Sequence, residues 1–442
     1  MNRNEEFADL LKELDGNVPE LTASLRKGMC RKARKQFVYQ PLWGLVTVFA
    51  LFVLSVNLCA PVAMACSKVP VLKELAKAVT FSRSLSDAVE NEYVQEMNLK
   101  QTKGEITAEI AYLIVDQKQI NVFYRFESEK YDKLNAYCHV LDEAGNDMEG
   151  HSVSSGSFGL PNEELRCATI DFYENNVPRV LRLQLEVFGD YESENREFLE
   201  VFDFLLEFDP EFTAKGKVYE VNQAVELDGQ SIMIESIEVY PTHARVNVAD
   251  APENAAWLKG LMFYMETEKG EVFTTAKNGV TAMGAPDSSS MVSYYAESAY
   301  FYDAKQLNLV ITGALWQEKG RERIKVDLET GETDPLPDNV TFMGAERERN
   351  GWLVLRFKEP FVQGETMRAA FGFQCYDANE EEYCASIGLT VGDEKLQGGE
   401  QGWYVREYCL EDYTKKEIWL TTQYTSTWMV EDAIEIKVNM SK

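Results

Sequence analysis

The chain has 442 residues, of which 45% are apolar and 12% aromatic. This composition supplies enough apolar surface for packed cores and excludes a wholly disordered protein. The net charge is −29, and nearly all of it lies beyond residue 67, because residues 1–40 hold eight Lys/Arg against six Asp/Glu. Such an acidic surface repels phosphate backbones, which argues against nucleic-acid binding by most of the chain.

The first 40 residues predict two short helices. Apolar residues recur at helical spacing between Glu5 and Asp15, and a second helix is predicted after Pro19. Helices of this size cannot bury a core of their own, so they need a partner or a membrane surface, or else stay disordered. Helix-in-groove recognition uses this spacing. We predict that a cytoplasmic partner binds the apolar residues Phe7, Leu10, Leu11, Leu14, Leu21 and Leu25.

An uncharged stretch from Phe37 to Ser67 contains the segment PLWGLVTVFALFVLSVNLCAP at 41–61. About 20 helical residues span about 30 Å, the thickness of the hydrocarbon core, so this segment predicts a transmembrane helix. Six Lys/Arg between residues 26 and 35 precede it. The positive-inside rule then predicts a protein of the cell membrane with a cytoplasmic N-terminus and an extracytoplasmic C-terminal ectodomain.

An alternative to an uncleaved anchor comes from the residues that follow. Ala63-Met64-Ala65 resembles a signal-peptidase site, and Cys66 stands where a lipobox cysteine would stand. About 40 residues before the apolar stretch are far more than an ordinary signal peptide carries, which favours the anchor.

Beyond a connector at 62–103, whose first half is predicted to be helical, the hydrophobic pattern changes to period two and repeats three times. Each copy opens with a strand pair and continues into a hairpin, whose turns align at Gly145, Gly270 and Asn379. An alternating strand follows. Each copy is then predicted to close on its own last strand: FDFLLEF from Phe202, IKVDL from Ile324 and IEIKV from Ile434.

About seven strands over roughly 105–125 residues, with polar turns between them, predict an immunoglobulin-like sandwich. The predicted fold is therefore mainly β, with three tandem immunoglobulin-like β-sandwich domains outside, one transmembrane helix and short N-terminal cytoplasmic helices. The predicted ranges are a cytoplasmic segment at 1–40, the transmembrane helix at 41–61, the connector at 62–103, and β-sandwich domains at 104–210, 211–333 and 334–442.

Eight cysteines occur, and the ectodomain is a disulfide-permissive compartment. Cys375 and Cys384 are symmetric about the DANEEE turn of the third hairpin, which predicts a candidate disulfide. Cys138 and Cys167 form a second candidate pair. The three repeats do not share cysteine positions, so disulfides are not the framework of this fold, and the alternative is a set of buried free thiols.

No catalytic, cofactor-binding or metal-binding residue is predicted, and the chain is not expected to be an enzyme. Only three histidines occur, His139, His151 and His243, and no CxxC or HxxxH motif accompanies them. Nucleophile-elbow, Walker and zincin motifs are likewise missing from the sequence. The acidic DEAGND segment resembles a calcium loop, but the EF-hand spacing fails.

The segment CSKVPVLKELAKAVTF, followed by AVENEYVQEMNLKQTKGEITAEIAYLIVDQKQINVFYRF, resembles the domain of unknown function 4179 family of Gram-positive bacteria. The resemblance covers about residues 37–210. The segment FTAKGKVYEVNQAVELDGQSIMIESIEVYPTHARVNV looks like the immunoglobulin-like domain that commonly follows it. Members are similar in topology to anti-sigma factors, which implies a role in sensing and transcriptional control and transfers no catalytic residue.

Two functions are therefore expected. In the first, the chain is a membrane regulator for signal transduction, similar to an anti-sigma factor, whose cytoplasmic helices sequester a sigma factor while the ectodomain senses an unknown extracytoplasmic ligand. The alternative is a cell-surface binding or adhesion protein with no cytoplasmic partner.

Overall fold

The described part of the chain is mainly β. The computed structural model describes residues 74–155, 159–173, 176–189, 198–209, 213–284, 290–348, 351–362, 369–391 and 401–441. No helix within these ranges is long and apolar enough to cross a membrane. The predicted transmembrane helix and cytoplasmic helices lie outside the described residues and stay predictions. Two short helical segments begin the described part, residues 74–78 and helix α1 at Arg83–Glu90.

The first sandwich is built from eight strands around one core. The strands are β1 (Gln95–Lys103), β2 (Ile106–Val115), β3 (Gln119–Glu127), β4 (Asn135–Leu141), β5 (His151–Ser155), β6 (Arg166–Phe172), β7 (Val180–Phe188) and β8 (Phe198–Glu207). One sheet has the order β1-β2-β3-β6-β5 and the other the order β4-β7-β8. Along β7 the buried residues Leu181, Leu183 and Leu185 alternate with half-exposed ones, the period that a sheet with one buried face requires.

The second sandwich draws its strands from two distant parts of the chain. Its strands are β9 (Lys217–Leu227), β10 (Gln230–Val239), β11 (Ala244–Asp250), β12 (Ala256–Thr267), β13 (Val272–Phe273), β14 (Ala282–Gly284), β15 (Met291–Ala296), β16 (Gln306–Glu318) and, from the end of the chain, β25 (Ser426–Asn439). The sheet orders are β14-β15-β11-β10-β9 and β13-β12-β16-β25. A shared core includes Trp316, Ile436 and Val438.

The third sandwich takes one strand from within the second repeat. Its strands are β17 (Arg323–Asp327), β18 (Thr341–Arg347), β19 (Leu353–Val362), β20 (Phe371–Tyr376), β21 (Glu382–Cys384), β22 (Ser386–Val391), β23 (Gln401–Leu410) and β24 (Glu417–Thr422). The sheet orders are β18-β19-β23-β22 and β17-β24-β20-β21. Ile324 and Val326 of β17 are buried in this third core.

The last strands of the second and third repeats are exchanged. In the first sandwich β8 pairs with β7 of the same repeat. In the other two repeats the closing strands are not those expected from the order of the repeats: β17 pairs with β24, and β25 pairs with β16. Apolar residues alternate with polar ones around Ile324 and around Ile434, so the local pattern alone does not show which neighbour each strand pairs with. The immunoglobulin-like identity of the sandwiches and the ranges 104–210, 211–333 and 334–442 stay predictions.

The three hairpin turns share one geometry, but its position in the third repeat differs from the prediction. Gly145 and Gly270 have left-handed backbones, with φ of 92° and 86°. In the third hairpin the left-handed residue is Glu380, with φ of 64°, and not Asn379. The Asp377 N–H donates to the carbonyl of Glu381 over 3.1 Å, and this bond closes the turn. The loop between these two residues has the same length as in the other repeats, which puts Glu380 at the left-handed position.

The same shift of one residue separates the two cysteines of the predicted disulfide. Cys375 lies opposite Tyr383, and Cys384 lies opposite Gln374. Because neighbouring residues of a strand point to opposite faces, Cys375 is buried in the core while Cys384 is exposed. The disulfide Cys375–Cys384 is therefore absent, and both thiols are free.

Candidate functional site at the junction of the connector and the first two sandwiches

Two turns meet where the first and second sandwiches join. The turn between β2 and β3 contains Asp116, and the turn between β10 and β11 contains Thr242 and His243. All three side chains are buried, with exposures of 0% or 1%. They belong to a group of buried polar side chains, named here the junction cluster: Asp116, Asp171, Thr242, His243, Arg245 and Tyr295.

Both oxygens of Asp116 accept hydrogen bonds. Oδ1 accepts from the backbone N–H groups of Lys118 and Gln119, each over 2.9 Å, an Asx turn that explains an aspartate at this position. Oδ2 accepts from the N–H and the hydroxyl of Thr242, over 3.1 and 2.5 Å. Burial raises the pKa of Asp116, but contact with His243 and these hydrogen bonds lower it more, so the net pKa is below the ordinary value. The carboxylate is ionised at neutral pH.

His243 is held in one tautomer. Arg245 Nε donates to His243 Nε2 over 2.9 Å, and since a guanidinium has no acceptor, Nε2 carries the lone pair. The proton of the neutral ring is then on Nδ1, which lies 2.9 Å from Thr242 Oγ1 and 3.6 Å from Asp116 Oδ2. A chain of donors therefore connects Arg245 of the second sandwich to Asp116 of the first.

A second set of bonds surrounds the guanidinium. Arg245 Nη2 donates to Asp171 Oδ1 and to the carbonyl of Phe172, both over 3.0 Å. The Tyr295 hydroxyl donates to Asp171 Oδ2 over 2.6 Å. Burial lowers the pKa of Arg245, but Asp171 raises it more, so the net pKa is above the ordinary value and the charge is kept. Burial and Asp171 raise the pKa of Tyr295, which stays a neutral donor.

The junction cluster suits the joining of two surfaces. Its charged side chains are buried, and each of the six side chains contacts a polar group of the same sandwich or of the other one. Buried networks of this kind can fix the orientation of two packed bodies, since a misplaced partner leaves a charge unpaired. Within the described ranges, no group of three or more His, Cys, Asp or Glu side chains is placed to hold a metal ion.

The connector helix α1 lies next to this junction. Ser82 caps its first turn, with Oγ accepting from Leu85 N–H over 3.4 Å. Leu85, Ala88 and Val89 recur at helical spacing and are buried. The sequence therefore places one apolar face of a short helix against the β domains.

Glu297, which follows β15, fixes the start of that helix. The side chain is 4% exposed, and its Oε2 accepts from Ser82 Oγ over 3.0 Å, from Ser84 N–H over 2.6 Å and from the Ser84 hydroxyl. Carboxylates near the first turn of a helix are stabilised by its unpaired N–H groups. A single buried carboxylate thus connects the connector to the second sandwich.

Arg83 adds a second attachment. Its Nη1 donates to the carbonyl of Val272 over 2.6 Å, and its Nη2 donates to the Tyr302 hydroxyl over 2.8 Å. The guanidinium also lies 4.5 Å from the centre of the Phe273 ring. Arg83 belongs to the connector and Glu297 to the second sandwich. Each side of the contact therefore contributes one charged side chain.

Ser298 makes the connector contact and the junction cluster continuous. Its N–H donates to Ser84 Oγ over 2.7 Å, and its hydroxyl donates to the carbonyl of Tyr240. The Tyr240 ring stacks on His243, with ring centres 5.1 Å apart. Direct contacts therefore run from the connector to the joint between the first two sandwiches.

Comparisons with known proteins place the N-terminal part of this site in a family. A family model described as Domain of unknown function (DUF4179) matches residues 36–128. The chain therefore contains a DUF4179 domain at residues 36–128. A second model, Family of unknown function (DUF5643), matches residues 216–340. No curated protein matches the chain.

Among solved structures, the chain is similar to the crystal structure of the conserved domain protein from Bacillus anthracis. The identity is 13%, the match covers 55% of this chain and 85% of the other, and the TM-score is 0.40.

The predicted partner-binding residues fall outside the described ranges: Phe7, Leu10, Leu11, Leu14, Leu21 and Leu25. His139 and His151, noted from the sequence, do not meet, whereas His243 lies in the junction cluster. Sequence reasoning missed that cluster and Glu297. The available signal was a histidine and an arginine at the start of a buried strand, in YPTHARV, where water cannot satisfy them.

Replacing Glu297 by alanine is expected to loosen the connector. Three donors then lose a charged acceptor, an interaction typically worth about 1.5–3 kcal/mol, so amide hydrogen exchange in α1 should accelerate about 10-fold or more. Asp327→Ala is the matched control, because it removes an exposed carboxylate that accepts from Glu329 and Thr330 N–H in the third sandwich. Equal protection of α1 in both variants would show that Glu297 does not hold the connector.

Proposed function

We propose that this chain is a single-pass membrane regulator, similar to an anti-sigma factor, that couples a sensing ectodomain to a cytoplasmic sigma factor. In this proposal the N-terminal helices are cytoplasmic, residues 41–61 cross the cell membrane, and the β sandwiches lie outside. The ectodomain binds or responds to an extracytoplasmic condition, and the cytoplasmic helices hold or release the sigma factor.

The extent of the family match supports coupling across the membrane. The DUF4179 model covers residues 36–128, which include the predicted transmembrane helix, the connector and β1 to β3. The membrane stretch and the first strands of the ectodomain therefore occur together as one family unit. The family itself is of unknown function, so the regulatory role rests on architecture.

The observation that carries the proposal is the attachment of the connector by Glu297. Residues 75–442 form one compact unit, and the connector at its start is bonded to the second sandwich and not only to the neighbouring first one. A simple tether would need no such contact. A buried carboxylate at this position is suited to transmit a change in the β domains to the segment nearest the membrane.

A pull-down tests the cytoplasmic part. Full-length tagged protein is captured from detergent-solubilised membranes, and a co-purified sigma factor is identified by mass spectrometry. Leu10→Asp combined with Leu14→Asp should reduce its recovery at least about 10-fold, because charges replace two anchors of the predicted apolar face. Lys12→Asp is the matched control, since it shifts the net charge by the same amount on the opposite face and should leave recovery unchanged.

Undiminished recovery with the Leu10→Asp, Leu14→Asp chain would remove the proposed docking face. If no sigma factor co-purifies and deletion of residues 4–25 leaves the cellular phenotype intact, the surface-binding alternative is the better description.

A further inference from the structure

The exchange of strands between the second and third sandwiches produces one long antiparallel ribbon. One side of it is residues 306–327, which contain β16 and β17, and the other is residues 417–439, which contain β24 and β25. The register runs from Gln306 opposite Asn439 to Asp327 opposite Glu417. This antiparallel ribbon, named here the crossing ribbon, belongs to the second sandwich at one end and to the third sandwich at the other.

The two chains of the crossing ribbon are bonded where they pass between the sandwiches. Buried Gln317 donates from Nε2 to Thr422 Oγ1 over 2.7 Å and to the Thr422 carbonyl over 3.1 Å. Thr425 N–H donates to the carbonyl of Trp316 over 2.7 Å, and Thr425 Oγ1 accepts from Glu318 N–H over 2.8 Å. The crossing is thus a built part of the fold with its own side-chain bonds.

The end of β25 shares a core with the segment that holds the connector. Ile436 and Val438 are 1% and 5% exposed in the second core, and Tyr302 packs against the same cluster. The Met440 N–H donates to the carbonyl of Lys305 over 2.9 Å, three residues after Tyr302. Tyr302 in turn accepts from Arg83 of the connector helix. Direct contacts therefore lead from β25 to α1.

β17, the strand that follows β16 in the sequence, cannot replace β25 at the edge of β16. β16 has 13 residues and β25 has 14, whereas β17 has only 5. A β17 folded back on β16 would leave most of that edge without backbone partners, and unpaired buried N–H and C=O groups are costly. The DUF5643 match ends at residue 340, so the closing strand of this sandwich comes from outside the matched segment.

We propose that the docking of β25 on β16 keeps the connector helix attached to the second sandwich. Releasing β25 opens the core beneath Tyr302 and frees α1. An event at residues 426–440 is in this way communicated to the membrane-proximal connector. The proposal concerns the ectodomain only and holds whatever protein binds the cytoplasmic helices.

Gly313 in the middle of β16 provides a substitution directed at this docking. A Cβ added there would lie 2.7 Å from the backbone oxygen of Trp428 and 2.9 Å from Met429 Sδ. Backbone at that distance has to shift, so a side chain at residue 313 pushes β25 outward. Gly388 of β22 is the matched control, because its added Cβ would make only ordinary contacts, the nearest at 3.6 Å to Glu407 Cβ.

Hydrogen exchange on the full-length chain in detergent compares Gly313→Ala with Gly388→Ala. Gly313→Ala should accelerate exchange about 10-fold or more both in residues 434–440 and in α1, since local opening exposes both together. Gly388→Ala should change neither segment by more than about 2-fold. If exchange rises in 434–440 while α1 keeps its protection, the coupling is refuted.

A milder pair of variants keeps the test decisive if Gly313→Ala does not fold. Val438→Ala removes two methyl groups from β25, and Val326→Ala removes the same two from β17 in the third core. Only Val438→Ala should loosen α1. Disulfide cross-linking of Asn308→Cys with Lys437→Cys, which face each other across the ribbon, should then restore its protection. Failure of that intramolecular cross-link in an otherwise native chain would refute the exchanged topology itself.

Discussion

A chain cleaved between Thr333 and Asp334 is expected to stay together as one particle. A protease site inserted there cuts at the boundary that the sequence predicts between the second and third domains. After cleavage, the fragment 334–442 should remain bound to the fragment 1–333 through washing without denaturant. Independent domains on a flexible linker would separate under the same treatment, so the expected result is the reverse of what the repeat pattern suggests.

The physical reason is that each fragment carries the strand that closes the other. Ile324 and Val326 of the first fragment are buried in the third core, while Ile436 and Val438 of the second fragment are buried in the second core. Full burial of one such side chain contributes about 1.5–3 kcal/mol, and the backbone pairs of two strands are added to it. Separation would expose both cores at once.

The control is the cleaved chain that carries Val326→Asp and Ile436→Asp. Each substitution places a carboxylate in a core where it has no partner, a cost of several kcal/mol. Release of the C-terminal fragment is expected in this variant and is followed by the amount of fragment 334–442 in the wash. Release from the unsubstituted cleaved chain to the same extent would contradict the exchange of strands.

The strand content was predictable from sequence because period-two alternation is local. Leu181, Leu183 and Leu185 show it directly, and so do the last strands around Ile324 and Ile434. Which strand lies next to which was not predictable in the same way. Each last strand offers an alternating apolar face to any neighbour of the right length, and a pattern that fits two positions cannot select between them.

The error at the third hairpin has a different origin. Asparagine tolerates a left-handed backbone better than glutamate, so residue type favours Asn379 over Glu380. The closing pair of Asp377 and Glu381 decides otherwise, since it sets the length of the loop. A shift of one residue in the strand pairing moves every side chain beyond the turn to the opposite face of the sheet. It also prevents Cys375 and Cys384 from lying opposite each other.

The junction cluster could not be assembled from sequence because its members are far apart in the chain. Asp116 and His243 are 127 positions apart and meet only when two sandwiches pack. A His and an Arg at the start of a buried strand indicate that polar partners are needed, but not which residues supply them. The connector attachment has the same character, since Ser84 of the connector helix and Glu297 of the second sandwich are 213 positions apart.

Arg245→Ala is expected to destabilise the ectodomain by about 3–5 kcal/mol, the usual result of removing one partner of a buried ion pair. The guanidinium is 3% exposed, and without it the Asp171 side chain, at 0% exposure, loses its cationic partner while His243 Nε2 loses its donor. Arg245→Lys should be nearly as damaging, because a single ammonium cannot reach His243 Nε2 and Asp171 Oδ1 with the spacing of a guanidinium. Urea unfolding of the solubilised chain, followed by tryptophan fluorescence, measures the loss.

Arg182→Ala is the matched control for that loss. Arg182 pairs with Asp203 over 3.0 Å on the outer face of the first sandwich, where both side chains are about a third exposed. Water screens such a pair, so its removal should cost less than about 1 kcal/mol. Similar losses in the two variants would mean that the junction cluster is no more than a surface contact. A large loss only in Arg245→Ala, with faster exchange in residues 240–246 and in α1, would show that the first two sandwiches and the connector are held by the same buried charges.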